Sequence, residues 1–141
     1  GYKASGSLSS TDRILVRSAT QQVAFADAHP GFPRFRNSLS EGGNKSYLLY
    51  KDIDLTNINK FIFNYSSENR KGEILVRMDS QIGPVISRVA FEPTGSFDKF
   101  KNLEASMLKK ISGKHHLYFV VTTGKLPDDR LIKLNTISFE R

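Results

Sequence analysis

The side chains of this chain best suited to chemistry are its few histidines and carboxylates, and their spacing limits what they can do. His115 and His116 are adjacent, and His29 is far away in the sequence. This spacing does not match a metal site, whose ligands recur at short fixed intervals. Asp128 and Asp129 are also adjacent, whereas a glycosidase holds its two carboxyl groups about 5 to 9 Å apart across the scissile bond. With no nucleophile elbow or triad context either, the sequence does not predict an enzyme.

Composition indicates one globular domain. The chain has 141 residues, of which 38% are hydrophobic and 25% charged, and it contains no cysteine. A chain of this length can bury a continuous core without disulfides. We interpret residues 1–10 as a linker or a trimmed end, and predict a single domain over residues 11–141.

The net charge of +7 raises the question of an acidic partner. The cations occur singly or in pairs such as Arg70-Lys71, without a basic stripe or tail. Nucleic-acid binding is therefore not predicted. Membrane insertion is not predicted either, because no run approaches the roughly 18 apolar residues that a spanning helix needs.

The elements that must position any site are short β-strands. Apolar and polar residues alternate between closely spaced turn signals, which is typical of an all-β sandwich or barrel. Phe61, Phe63 and Tyr65 share one face of a predicted strand, and residues 73–79 form the next, with one face more polar than the other. Residues 116–122 are the most apolar segment and predict a central strand.

Other segments are less regular. A helical turn is expected near Leu103 to Lys110. The segment from Asp27 to Asn44 is long and rich in Gly and Pro, and loops of this length are often functional. Further strands are predicted at residues 14–16, 22–26, 47–50, 85–91 and 131–139.

Four motifs follow one another from about residue 45 onward. They are Tyr50-Lys51-Asp52-Ile53-Asp54-Leu55-Thr56, Gly72-Glu73-Ile74-Leu75-Val76-Arg77-Met78, Pro93-Thr94-Gly95-Ser96-Phe97-Asp98-Lys99-Phe100, and Gly113-Lys114-His115-His116-Leu117-Tyr118. Their order resembles that of family 6 carbohydrate-binding modules. The resemblance implies an all-β fold, a two-sheet antiparallel β-sandwich of jelly-roll, galactose-binding-domain-like topology.

The resemblance also implies a sugar site. In such modules, loops at one end of the sandwich hold a sugar between aromatic rings, because the CH-rich face of a pyranose is apolar. Phe97 stands at the position of the family's platform tryptophan, and Tyr47 is the predicted opposing ring. Phe100 matches a second tryptophan and is expected in the core. At the C-terminal end, Lys133 replaces the sugar-binding asparagine, and Asn135 is a second predicted contact.

A structural Ca²⁺ is implied in the same way, with Asp27 and Asn135 as its candidate ligands. Asn135 stands where the family commonly has a calcium-binding aspartate. Moving the alignment by two residues would make Asn135 the sugar contact, but it would lose the register of Ile137 and Phe139. We therefore prefer the gapless alignment.

Three hypotheses remain open. The first is a non-catalytic module that binds a polysaccharide or oligosaccharide and targets an attached enzyme, with other domains of a larger protein as partners. Extracellular or periplasmic placement follows from that analogy. The second is a structural or protein-interaction domain that has lost its sugar site, favoured by the absence of tryptophan. The third, a small hydrolase, lacks a catalytic constellation.

Overall fold

The chain folds almost entirely through β-strands. The computed structural model describes residues 20–22, 26–32, 34–35, 38–39, 42–43, 45–123 and 132–140, so the strand predicted at residues 14–16 lies outside it. Within these ranges no helix is long and apolar enough to cross a membrane. The strands are β1 Thr20–Gln22, β2 Arg34–Phe35, β3 Ser38–Leu39, β4 Tyr47–Asp54, β5 Lys60–Ser66, β6 Gly72–Met78, β7 Val85–Phe91, β8 Lys101–Ser106, β9 Lys114–Thr122 and β10 Lys133–Glu140.

Two four-stranded sheets form the sandwich. The front sheet has the order β4-β9-β6-β7, the back sheet has the order β1-β10-β5-β8, and β2 and β3 form a separate hairpin. Every pair is antiparallel. The predicted two-sheet antiparallel sandwich is confirmed, and β9 is a central strand of the front sheet as expected.

The helical turn expected near Leu103 to Lys110 is wrong. Residues 101–106 form β8, which pairs along its whole length with β5. Ala105 is buried and Leu103 packs against the core, whereas Glu104 between them is exposed. This period of two places the apolar side chains on one face of a strand, and pairing with β5 decides the conformation that local propensity left open.

Aromatic rings from both sheets meet in the core. Phe61 and Phe139 of the back sheet each lie edge-on to Phe119 of the front sheet, at centroid distances of 5.5 and 6.1 Å. All three rings are fully buried. Edge-to-face pairs of this kind are favourable because the positive edge of one ring meets the negative face of the next. The predicted inward face of β5 is therefore confirmed.

A β-bulge interrupts β10. Leu134 pairs with Tyr65 and Thr136 pairs with the preceding residue of β5, so that Asn135 is the extra residue. Beyond the bulge, Ile137 and Phe139 are fully buried. These core positions agree with the gapless alignment of the C-terminal strand. The bulge turns Asn135 outward, where it is exposed.

Candidate functional site

The outer face of the front sheet carries an open groove. Along β4, Leu48 and Tyr50 are fully buried. Because side chains alternate along a strand, Tyr47, which precedes Leu48, points to the other face. We call this depression, which has a volume of about 410 Å³, the Tyr47 groove. It is lined by Lys45, Tyr47, Leu75, Arg77, Gln81, Ile82, Val120 and Thr122.

Strand register places Tyr47 beside the floor of the groove, which Val120 and Leu75 form. Tyr47 is paired with Val120 on β9, which in turn is paired with Leu75 on β6. Neighbouring strands are about 4.8 Å apart, so the floor from Tyr47 to Leu75 is about 10 Å wide. The Tyr47 ring packs against Tyr118, with centroids 5.5 Å apart and planes tilted by 51°. Two tyrosines thus stand beside an aliphatic floor.

The turn between β6 and β7 forms one rim of the groove. Ser80 holds the turn, because its carbonyl accepts the Gly83 N–H at 3.0 Å and its hydroxyl accepts the Ile82 N–H at 3.2 Å. Ile82 is 84% exposed. The Arg77 Nη1 donates to the Gly83 carbonyl at 2.7 Å, which fixes the guanidinium beneath the turn. An apolar side chain and a cation are thereby presented together at this rim.

The geometry of the groove suits a sugar ring. Tyrosine faces and aliphatic side chains complement the CH-rich face of a pyranose, and the hydroxyl rim requires hydrogen-bonding groups. Arg77 and Gln81 supply such groups at one side of the groove, and Lys45 and Thr122 at the other. A volume of about 410 Å³ lies within the usual range for small-molecule sites, about 300 to 1,000 Å³.

Phe97 lies in the loop between β7 and β8, which is attached to the back sheet. The Ser66 hydroxyl at the end of β5 donates to the Phe97 carbonyl at 2.8 Å. Ser66 is also the strand partner of Lys133. Phe97 and Lys133, two of the predicted contacts, therefore converge on the same residue of β5. The Tyr47 ring has an aromatic partner, Tyr118, on the front sheet, and its pairing with Phe97 around a sugar stays a prediction.

Phe100 is not in the core, and the expectation of its burial is wrong. Its side chain is 38% exposed, and the Lys133 Nζ lies 5.8 Å from the centroid of its ring. This is the geometry of a cation–π contact, which is attractive because the ring face is negative. The residue precedes β8 in a loop, outside the alternation that directs side chains inward. Lys133 thus covers a face of the Phe100 ring.

Asn135 and Asp27 lie with different sheets. Asn135 donates to the Asn64 side-chain oxygen at 3.0 Å, and Asn64 donates to Asn102 at 2.9 Å, forming an amide ladder across the back sheet. Asp27 instead accepts the Lys51 N–H of the front sheet at 2.7 Å. The two candidate calcium ligands therefore have hydrogen-bond partners on different sheets, and their role as calcium ligands stays a prediction.

The described residues do not fit a carboxylate calcium site. Among them, no group of three or more His, Asp or Glu side chains is placed to hold a metal ion. Ca²⁺ takes six to eight oxygen ligands, and carboxylates usually supply the charge.

We expect chelation to leave thermal stability unchanged. Asp27 accepts the Lys51 N–H and Asn135 donates to the Asn64 oxygen, so each side chain has a hydrogen-bond partner in the fold without a cation. The melting temperature should differ by less than about 3 °C between EDTA and millimolar CaCl₂, which corresponds to under about 1 kcal/mol for a domain of this size. A larger rise with CaCl₂ that Asp27→Asn abolishes would restore the calcium hypothesis.

Sequence reasoning missed most of the groove. It identified Tyr47 but not Tyr118, Leu75 or Arg77. A usable signal was present, because the alternation in residues 73–79 indicated a more polar face that includes Leu75 and Arg77. What was missing was the strand order, which places β6 two strands from β4.

Comparisons with known proteins agree with the fold. The model of the carbohydrate binding module (family 6) matches residues 36–141. A family 6 carbohydrate-binding module from Clostridium cellulolyticum, solved in complex with xylose, superposes with a TM-score of 0.76 at 19% identity, covering 88% of this chain and 98% of that one. A β-1,3-glucan binding module of the same family from Bacillus halodurans gives 0.73 at 16% identity, covering 88% and 96%.

A third structure is a larger enzyme. The glycoside hydrolase family 43 arabinoxylan arabinofuranohydrolase from Bacillus subtilis, in complex with cellotetraose, gives a TM-score of 0.64 at 21% identity, covering 89% of this chain and 24% of that one. Curated proteins yield no match. The family model spans well over half of the sequence, and the sandwich agrees with its structures. This chain belongs to family 6 of the carbohydrate-binding modules, which are non-catalytic.

Proposed function

We propose that this module binds a glycan in the Tyr47 groove and keeps an attached secreted enzyme near its polysaccharide substrate. The observation that carries the proposal is the Tyr47–Tyr118 ring pair beside the floor of Val120 and Leu75. A pyranose lying on this floor would place its hydroxyls toward Arg77 at the rim. Family membership and the sugars named with its solved relatives support the same function.

Targeting of the enzyme follows from its covalent link to the module. A module fused to an enzyme raises the effective concentration of the catalytic domain at the polymer to which the module binds. The arabinofuranohydrolase, of which this chain matches about a quarter, supports such an arrangement. We extend the proposal to a secreted parent protein, extracellular or periplasmic, because polysaccharides of this kind lie outside the cytoplasm.

One observation supports a second function, a structural or protein-interaction role without sugar binding. Lys133 holds its ammonium group over the Phe100 ring near the loop of Phe97. A ring face covered by a cation is not open to a sugar. This observation applies to the back-sheet region, however, and leaves the groove on the front sheet open.

Replacing Tyr47 by alanine should weaken glycan binding about tenfold, because loss of a stacking ring costs about 1.4 kcal/mol. The measurement is isothermal titration with xylo-, cello- and laminari-oligosaccharides, after a glycan array has chosen the best ligand. Tyr47→Phe keeps the ring and should retain affinity within about threefold.

Phe97→Ala is the matched variant for the back-sheet region around Lys133 and Phe100. We expect it to bind normally if the sugar lies in the Tyr47 groove. A loss with Phe97→Ala and none with Tyr47→Ala would move the site to the back sheet. If the unmodified protein binds no glycan at all, the second function stands.

A further inference from the structure

The rim of the Tyr47 groove carries two cations, Lys45 and Arg77. Within the described part of the chain, neither Lys45 nor Arg77 takes part in an ion pair. Arg77 uses one guanidinium N–H on the Gly83 carbonyl. The lining residues include no aspartate or glutamate. Among the described residues that line it, the groove therefore carries positive charge only.

Glu73, a carboxylate of β6, already has a cationic partner. Glu73 lies on β6 opposite Thr122, at one end of the groove. Both of its oxygens accept from the Arg88 Nη2, at 2.9 and 3.1 Å. Since Glu73 has its own cation, it does not offset the charge of Lys45 and Arg77.

Register places the two cations at opposite ends of the floor. Arg77 is paired with Tyr118, beside the ring pair. The Lys45 N–H donates to the Val121 carbonyl, next to Thr122. Four residues of β9 separate Tyr118 from Thr122, about 14 Å along the strand. A ligand that lies along the floor would thus meet a cation at each end.

Covering these cations with a neutral sugar is unfavourable, because burying an unpaired charge costs free energy that hydroxyl contacts recover only in part. An anionic sugar offsets that cost through charge-assisted hydrogen bonds. Arg77 suits this role, since four of its five N–H groups remain after the bond to Gly83 and its planar fork matches a carboxylate. The net charge of +7 would also attract a polyanion over longer distances.

From these observations we infer that the groove selects anionic glycans, whose units carry carboxylate or sulfate groups. The inference rests on the proposed function and specifies its ligand class. Tyr47 and the floor recognise the apolar face of the sugar, and Lys45 and Arg77 recognise its charge.

The test compares two ligands that share one backbone, an oligogalacturonate and its fully methyl-esterified form, by isothermal titration at low salt. The acid should bind at least about tenfold more tightly than the ester. This preference should shrink as salt screens the charges. A sulfated galactan oligosaccharide, set beside its desulfated form, distinguishes sulfate from carboxylate recognition.

Variants assign the preference to the two cations. Arg77→Gln and Lys45→Gln should each reduce the ratio of acid to ester affinity by about threefold or more, whereas Arg77→Lys should keep most of it. Lys114→Gln is the matched control, because it removes the same charge from the far end of β9 and should leave the ratio unchanged. A thermal melt confirms that each variant is folded.

The outcomes separate the two proposals. Equal binding of acid and ester, or equal weakening of both by Arg77→Gln, would overturn the anionic inference while leaving glycan binding intact. If only neutral oligosaccharides bind, and Tyr47→Ala abolishes that binding, the anionic inference is likewise overturned while glycan binding in the groove stands. If neither charged nor neutral glycans bind, the proposed function itself fails.

Discussion

Phe119→Ala should reduce the free energy of unfolding by about 3 to 5 kcal/mol, the usual cost of removing a buried aromatic ring. Phe119 is fully buried and lies edge-on to Tyr50 at 5.8 Å and Phe63 at 5.8 Å, in addition to Phe61 and Phe139. These rings come from both sheets, so the cavity would open where the two layers meet. Urea denaturation measures the loss from the shift of the midpoint.

Phe100→Ala is the matched control, because it makes the same chemical change at a residue that is 38% exposed. It should cost less than about 1 kcal/mol, chiefly the cation–π contact with Lys133. Similar losses for the two variants would contradict the placement of Phe119 at the centre of the sandwich.

Thr94→Val should cost about 1 to 3 kcal/mol and loosen the loop that carries Phe97. The Thr94 hydroxyl accepts the Ser67 N–H at 3.2 Å, and it lies 3.1 Å from the Ser67 carbonyl and 2.9 Å from the Ser96 carbonyl, to one of which it donates. Valine has the same shape but no hydroxyl, so the buried Ser67 N–H would lose this partner. Denaturation measures the stability, and amide hydrogen exchange at Ser67 measures the local opening.

Thr94→Ser provides the control, since it keeps the hydroxyl and removes only a methyl group. It should lose less stability than valine does and should preserve protection at Ser67. If valine is as stable as threonine, the hydroxyl does not hold the loop to β5.

The same end of β5 has a second anchor. The Tyr65 hydroxyl donates to the Glu92 carbonyl at 2.8 Å, and burial raises the pKa of this phenol above its ordinary value. Tyr65 therefore remains protonated and able to donate over the physiological pH range. This bond ties the segment before Thr94 to β5 independently of the threonine.

Local pattern was sufficient for most of the strands. The aromatics Phe61, Phe63 and Tyr65 occupy every second position, and all three are buried in β5 because successive side chains of a strand point to opposite faces. The helical turn expected near Leu103 failed because a short mixed segment carries no strong period. Its pairing with β5 is a contact between residues about forty positions apart, which a local window does not include.

The candidate site shows the same difference between what a local pattern indicates and what strand order decides. The family resemblance indicated Tyr47 and Phe97 as aromatic contacts and Lys133 and Asn135 as polar ones, but whether any of them meet depends on how strands distant in sequence are ordered. That order brings Tyr47 to Tyr118 and Leu75, and it places the candidate calcium ligands Asp27 and Asn135 with different sheets. It likewise leaves Phe100 at the surface beneath Lys133.

The sequence by itself determined the class of fold, the buried face of β5 and the family resemblance, because alternation and motif order are properties of consecutive residues. The tertiary structure alone decided where a groove forms and which charges surround it. The physical reason is that cross-strand neighbours, about 5 Å apart in space, come from residues far apart along the chain, and their pairing depends on the packing of both sheets around one core.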